Sequence, residues 1–174
     1  MVKFTNNYEV SIKILIWGIE SSDKIKYLDT LYRMSEEQNI DIKPTGNLIK
    51  IPMSNGSDLF FDRWIFQSKK QSKVHYHVYT VASQRRFKQL RKKIFKGTDG
   101  IIFVVNARMQ FLEDNIESLK ELKKISKGDL IKKIPLIVIL NLSRKTNENI
   151  SREDFIEILK KGKLWYELGN ELYI

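Results

Sequence analysis

Two uninterrupted apolar runs, Ile101-Ile102-Phe103-Val104-Val105 and Leu136-Ile137-Val138-Ile139-Leu140, constrain this chain more than any other feature. Runs of this length without polar interruption suit strands buried on both faces, which are characteristic of parallel sheets. An earlier segment, with Val10, Ile12, Ile14 and Ile16 alternating with less apolar neighbours, suits a strand covered on one face. Helical spacing separates these runs: Ile25, Leu28, Leu31 and Tyr32; Phe87, Leu90, Ile94 and Phe95; Leu112, Ile116, Leu119 and Leu122; Phe155, Ile158 and Leu159. Strands alternating with helices imply an α/β fold with a mostly parallel sheet. The segments Leu59 to Phe66 and Val74 to Val81, joined by a polar link, predict one antiparallel hairpin. Ser151 with Asp154 three residues on marks the start of a late helix. The least regular stretch is Asn39 to Ser57, with Pro44, Gly46, Pro52 and Gly56.

At 174 residues with a 42% hydrophobic fraction, the chain reads as one domain, residues 1–174, with enough apolar material for a full core. Its longest apolar run is far short of the roughly 20 residues that span a bilayer, and no signal-peptide pattern opens it. A cytoplasmic protein without integral membrane association is expected. The absence of cysteine excludes disulfides, thiolate metal sites, thiol catalysis and prenyl or palmitoyl anchors, and Val2 argues against N-myristoylation. A formal net charge of +10 points to an anionic partner or to a Lys-, Ile- and Asn-rich composition bias.

The first strand ends in Trp17-Gly18-Ile19-Glu20-Ser21-Ser22-Asp23-Lys24-Ile25, which keeps the frame of a phosphate-binding loop, G-x-x-x-x-G-K-[ST]. Gly18 and Lys24 match. Asp23 replaces the second glycine, putting a carboxylate where backbone N–H groups should approach phosphate. Ile25 replaces the residue whose hydroxyl would ligate Mg²⁺, and offers a hard cation no oxygen. One like-charge contact at ~4 Å is worth roughly 4 kcal/mol at an effective dielectric near 20. Ser22 or Asp23 is expected to cap the following helix, satisfying the end that phosphate satisfies elsewhere.

Leu59-Phe60-Phe61-Asp62, His77 to Gln84, Lys96-Gly97-Thr98-Asp99-Gly100-Ile101-Ile102-Phe103-Val104 and Asn115-Ile116-Glu117-Ser118-Leu119 together resemble the MglA-type small GTPases, prokaryotic relatives of the Ras and Arf families. The similarity runs from about Val10 to about Leu142. It implies a Ras-like three-layer fold: a mostly parallel six-stranded sheet with one antiparallel strand, helices on both faces, and nucleotide at the carboxyl ends of the strands. It also implies GTP or GDP with Mg²⁺, two switch loops, and a roadblock-type regulatory partner.

Carried onto this chain, the family's motifs are incomplete. Thr80-Val81-Ala82-Ser83-Gln84 occupies the D-x-x-G-Q position; Thr80 follows the MglA-type pattern, while Ser83 replaces a glycine whose peptide must reorient. Gln84 is the candidate residue for orienting water, or a polar residue at the start of a helix. The guanine-reading motif falls on Asn141-Leu142-Ser143-Arg144: Asn141 fits, but Arg144 stands where a carboxylate should accept guanine N–H groups. Phosphate approach, metal and base are each affected, so no bound cofactor is expected. The leading reading is a pseudo-GTPase serving as a protein-binding or scaffold module. A divergent GTPase that still binds GTP or GDP with Mg²⁺ is the alternative.

After Asn141 there is room for one helix and a strand at Leu164 to Leu168, and the terminal helix of the family is missing. The face it would cover, along Val10 to Ile16 and Leu164 to Leu168, is expected to be apolar and to recruit a second copy or an obligate partner, with Trp165 and Tyr173 as anchors. The counter-reading covers it with residues 1–9 through Phe4 and Tyr8. From Arg85 to Lys96 there are seven basic residues and no acid, and Arg85, Arg86, Arg91, Lys92 and Lys93 are expected to form an exposed partner-binding face. A nucleic-acid or membrane-surface role for this helix is the lesser reading, since no recognised binding motif accompanies it. His75 and His77 share a strand face without an evident third ligand, so packing is favoured over metal binding.

Overall fold

The segment after Thr98 is polar up to Asp99 and then apolar for five residues, and in the computed structural model it forms a strand paired on both sides within the sheet. The structure describes residues 3–4, 9–37, 39–52, 59–130, 132–142 and 149–161. Along these the order is β1 (Lys3–Phe4), β2 (Val10–Gly18), α1 (Lys24–Ser35), β3 (Ile42–Pro44), β4 (Ile49–Pro52), β5 (Leu59–Ser68), β6 (Val74–Thr80), α2 (Lys88–Phe95), β7 (Gly100–Asn106), α3 (Leu112–Ser126), β8 (Leu136–Asn141) and α4 (Arg152–Lys161).

The main path across the sheet is β3-β5-β6-β2-β7-β8, with β1 added to β2 and β4 to β5. β6, β2, β7 and β8 are parallel, and β5 runs antiparallel to β6, with Trp64 opposite Val78 and Phe66 opposite Tyr76. The expected hairpin and the α/β order are therefore present. The stretch expected to be least regular holds two short strands in its described part, 39–52: β3 and β4 lie antiparallel along the outer edge of β5, because that long strand leaves its backbone groups open to pairing.

Side chains on β7 explain its apolar run. Phe103 and Val105 enter a core under α2, α3 and α4, where Leu15, Trp17, Leu119, Leu122, Phe155 and Leu159 also pack. Val104 points the other way, into a second core with Ile16, Leu28, Trp64, Phe66 and Val78 beneath α1. Tyr32 of α1 stacks on Trp64 there, ring centroids 4.4 Å apart. Each such buried side chain contributes about 1.5–3 kcal/mol relative to exposure.

Three expectations are corrected. Leu15, Ile16 and Trp17 are all buried, so the carboxyl half of β2 is covered on both faces and is not an open apolar surface. Ile137 of β8 is 46% exposed, beside Ile102 at the end of the described sheet, so this run is buried on one face only. Ile25 is 54% exposed and takes no part in the α1 core. α4 begins as expected: Asp154 N–H donates to Ser151 Oγ at 3.0 Å, and that hydroxyl donates to the Asp154 carboxylate at 2.7 Å. Leu164 to Leu168, Trp165, Tyr173 and the side chains of Phe4 and Tyr8 lie outside the described residues. Among the described residues no helix is long and apolar enough to cross a membrane.

Candidate functional site

β2 ends where its backbone presses against β7. At Gly18, φ is +148°, and a Cβ would lie 2.3 Å from the Val104 carbonyl oxygen and 2.8 Å from Ser22 Oγ, so only glycine fits. One 3₁₀ turn, Glu20–Ser22, follows, and Asp23 adopts a left-handed conformation at φ 59°, ψ 31° before α1 begins. A glycine would hold that conformation without the Cβ cost. The expected helix cap is absent. Neither the Ser22 nor the Asp23 side chain bonds the open N–H groups of α1: Ser22 Oγ donates to the Ile19 carbonyl at 2.8 Å, and the Asp23 carboxylate accepts from Lys26 Nζ at 2.9 Å. With this left-handed backbone and its exposed ion pair, the Asp23 carboxylate makes no cap bond.

The loop is pinned from the ends of neighbouring strands. Asn106 Nδ2, at the end of β7, donates to the Ser21 carbonyl at 2.7 Å, and Asn141 Nδ2, at the end of β8, donates to the Ser22 carbonyl at 3.3 Å. Asn115 of α3 orients Asn106 from behind, accepting from its N–H at 3.1 Å and donating to its carbonyl at 2.8 Å. Sequence reasoning passed over Asn106 and Asn115 as site residues. The available signal was a polar residue closing an otherwise apolar run.

Lys24 is 7% exposed, and its ammonium turns back onto the loop, donating to the Gly18 carbonyl at 3.0 Å and to that of Ile19. Burial lowers its pKa to about 8, with Glu20 opposing the shift and Arg91 adding to it. Ile25 presents only carbon at the position where a metal ligand is needed. On β6, Thr80 is buried and directed at the neighbouring strand: its Oγ1 accepts from Asp62 N–H at 3.1 Å and donates to the Asp62 carboxylate at 3.3 Å. Burial pushes the Asp62 carboxyl above the usual range, against the Thr80 bond and the charge of Lys50. The backbone path fits a phosphate loop; the side chains at Asp23 and Ile25 do not fit a magnesium–nucleotide.

A glycine-tight phosphate-loop path between a parallel strand and α1, in a sheet with one antiparallel hairpin strand, agrees with sequence comparison: the profile of the ADP-ribosylation factor family matches residues 1–167. The chain belongs to the ADP-ribosylation factor family. Within it, the chain is similar to the mutual gliding-motility protein MglA of Myxococcus xanthus, 29% identical over 137 residues, covering 76% of this chain and 68% of that protein. It is also similar to human ADP-ribosylation factor-like protein 4C, 30% identical over 134 residues, 75% of this chain and 60% of the relative. With human ADP-ribosylation factor-like protein 4A it shares 26% identity over 158 residues, 88% of this chain and 68% of the relative. The chain thus spans about two thirds of the length of these family members.

The segment after β6, a switch loop in this family by resemblance, is tied down. Gln84 precedes the short 3₁₀ turn Arg85–Phe87; its Nε2 donates to Glu20 at 3.3 Å, and its Oε1 accepts from Arg86 Nε at 2.9 Å. Ser83 is half-buried beside it. Arg91 is not part of an exposed basic face: it is 4% exposed. Its guanidinium bonds Glu121 of α3 in a fork, at 2.8 Å to Oε2 and 3.0 Å to Oε1 through Nη2, and Nη1 donates to the carbonyls of Ala82 at 2.9 Å and Gln84 at 2.8 Å. Arginine's planar five-donor head suits a site asking for four acceptors in two directions. Arg85, Arg86, Lys92 and Lys93 are exposed as expected, with Arg85 3.6 Å from Glu117 and Arg86 over the Phe87 ring.

His75 and His77 sit on the β6 face beside Gln67 and Ile65 of β5, and burial, Arg63 and His75 lower the His77 pKa. Ser143 and Arg144 lie outside the described residues.

Proposed function

We propose that this member of the ADP-ribosylation factor family no longer turns over GTP and works as a protein-binding or scaffold module. The observation that carries the reading is the end of the phosphate loop: Asp23 puts a carboxylate, paired with Lys26, at the position of the second glycine, and Ile25 supplies no oxygen to a metal. Glu20 adds a second acid, held against Gln84, the residue that would otherwise orient a water. The partner is a regulatory protein, the roadblock class being the one the resemblance to MglA-type proteins implies, or a second copy of the chain.

A divergent nucleotide-binding protein is the second reading, favoured by one observation: Gly18 and Lys24 keep the loop's backbone path and its cation, and Asn106 and Asn141 hold that path rigid. Titration with a fluorescent GTP analogue in Mg²⁺ buffer separates the two. Negligible binding is expected for the native chain, and measurable binding after Asp23→Gly with Ile25→Thr. Micromolar or tighter binding by the native chain would falsify the first reading.

A further inference from the structure

The strands around β2 are parallel, so α2 and α3 both start at the phosphate-loop end of the sheet and run away from it side by side. Between them opens a groove of about 1510 Å³. Half-buried Phe111 and Ile125 give its floor apolar surface, beneath which Trp17 and Val81 are only 2% exposed. Its charge is unevenly distributed. The acids lining it, Glu20, Asp114, Glu117 and Glu121, belong to the phosphate loop and the first two thirds of α3, and three of them are engaged: Glu121 by Arg91, Glu117 by Arg85 and Glu20 by Gln84.

Lysines dominate the remainder. Lys88, Lys92 and Lys96 recur every fourth residue along the α2 wall, so they share one side of that helix and its end. Lys120, Lys124 and Lys127 line the α3 wall, the last at the helix C-terminus. All six are exposed, and among the described residues no carboxylate is recorded in an ion pair with any of them. The row from Lys88 to Lys96 extends over ~12 Å, about two helical turns.

We infer that the α2–α3 groove docks an acidic amphipathic helix of a partner protein. Carboxylates one turn apart on that helix meet the two lysine rows, while its apolar side chains lie along Phe111, Ile125 and the methylene stems of the lysines. This rests on the protein-binding reading above and names the chemistry of the partner. A phosphate backbone would satisfy the lysines equally, but it has nothing to set against an apolar floor, whereas helix-in-groove recognition uses both.

The test is fluorescence anisotropy with three labelled probes of matched length: a peptide of about 15 residues, ~22 Å as a helix, with Leu on one face and Glu at four-residue spacing on the other; an all-Glu peptide; and a uridine oligonucleotide. The amphipathic peptide is expected to bind about tenfold or more tightly than the all-Glu peptide, with affinity falling as salt rises. Lys92→Glu with Lys124→Glu should weaken it at least about tenfold; should that pair disturb folding, Lys92→Gln with Lys124→Gln is read instead, with a smaller loss in the same direction. Equal binding of both peptides, tighter binding of the oligonucleotide, or affinity unchanged by both substitution pairs overturns the inference. GTP binding by the native chain would remove the pseudo-GTPase reading and leave this result untouched.

Discussion

Lys24 carries a cost set by where its ammonium lies. Its folded pKa of about 8 stands below the 10.5 of the free side chain, chiefly through burial. The unfolded chain therefore holds more protons on this group between those values, and stability rises with pH across that window. Below pH 8 the full penalty applies, about 3 kcal/mol by the size of the shift, partly offset by the bonds to Gly18 and Ile19. Urea midpoints of the native chain and of Lys24→Met, taken near pH 7.5 and near pH 9.5, should show the native chain gaining on the variant at the higher pH by roughly 1 kcal/mol or more. Parallel pH dependence in the two proteins would mean the ammonium is solvated. The residue type and its position in the loop frame were legible in the sequence; its burial was not, because the carbonyls that receive it depend on how the loop turns.

At the scale of elements, Arg91 joins three of them: it lies on α2, pairs with Glu121 of α3 and holds the loop carbonyls at residues 82 and 84. Removing one partner of a buried charge pair leaves the other charge uncompensated, at a cost of about 3–5 kcal/mol. Arg91→Met is expected to lose that much in urea unfolding, and Arg91→Lys to recover only part of it, since an ammonium lacks the fork. Hydrogen exchange gives the local signature: amides at 82–84 should speed up more than those of α4. Uniform acceleration would show that Arg91 stabilises the fold without restraining the loop. In the sequence this residue reads as one more cation on a basic helix, because helical spacing reports a face and Glu121 is thirty residues away. The capping pair Ser151 and Asp154 was legible because both partners fall within one turn.

For the whole molecule, a net charge of +10 is distributed unevenly, with lysines concentrated along one groove and acids at the phosphate-loop end of it. Self-repulsion of that kind destabilises the compact state and is screened over about 8–10 Å at moderate salt. The melting temperature is therefore expected to rise as NaCl is raised, with each kcal/mol recovered worth about 2–4 °C in a chain of this size. A falling melting temperature would mean that exposed ion pairs such as Lys133 with Asp129 outweigh the repulsion. Two cores on opposite faces of one sheet hold the molecule together, meeting at β7, where Phe103 and Val104 point in opposite directions.

Sequence alone determined the succession of strands and helices, the antiparallel hairpin and the phosphate-loop frame from Gly18 to Lys24, because apolar periodicity and tight turns are written in neighbouring residues. Tertiary structure decided the rest. The edge strands β3 and β4 form because β5 offers them unpaired backbone; Asn106 becomes a loop anchor through a contact to Ser21, 85 residues away in sequence. Asp23 fails as a cap because its backbone turns left-handed, and Arg91 is buried because α3 brings it a carboxylate. Periodicity shows which side chains leave water; which charge or hydrogen-bond partner meets them depends on contacts that close only when distant segments pack.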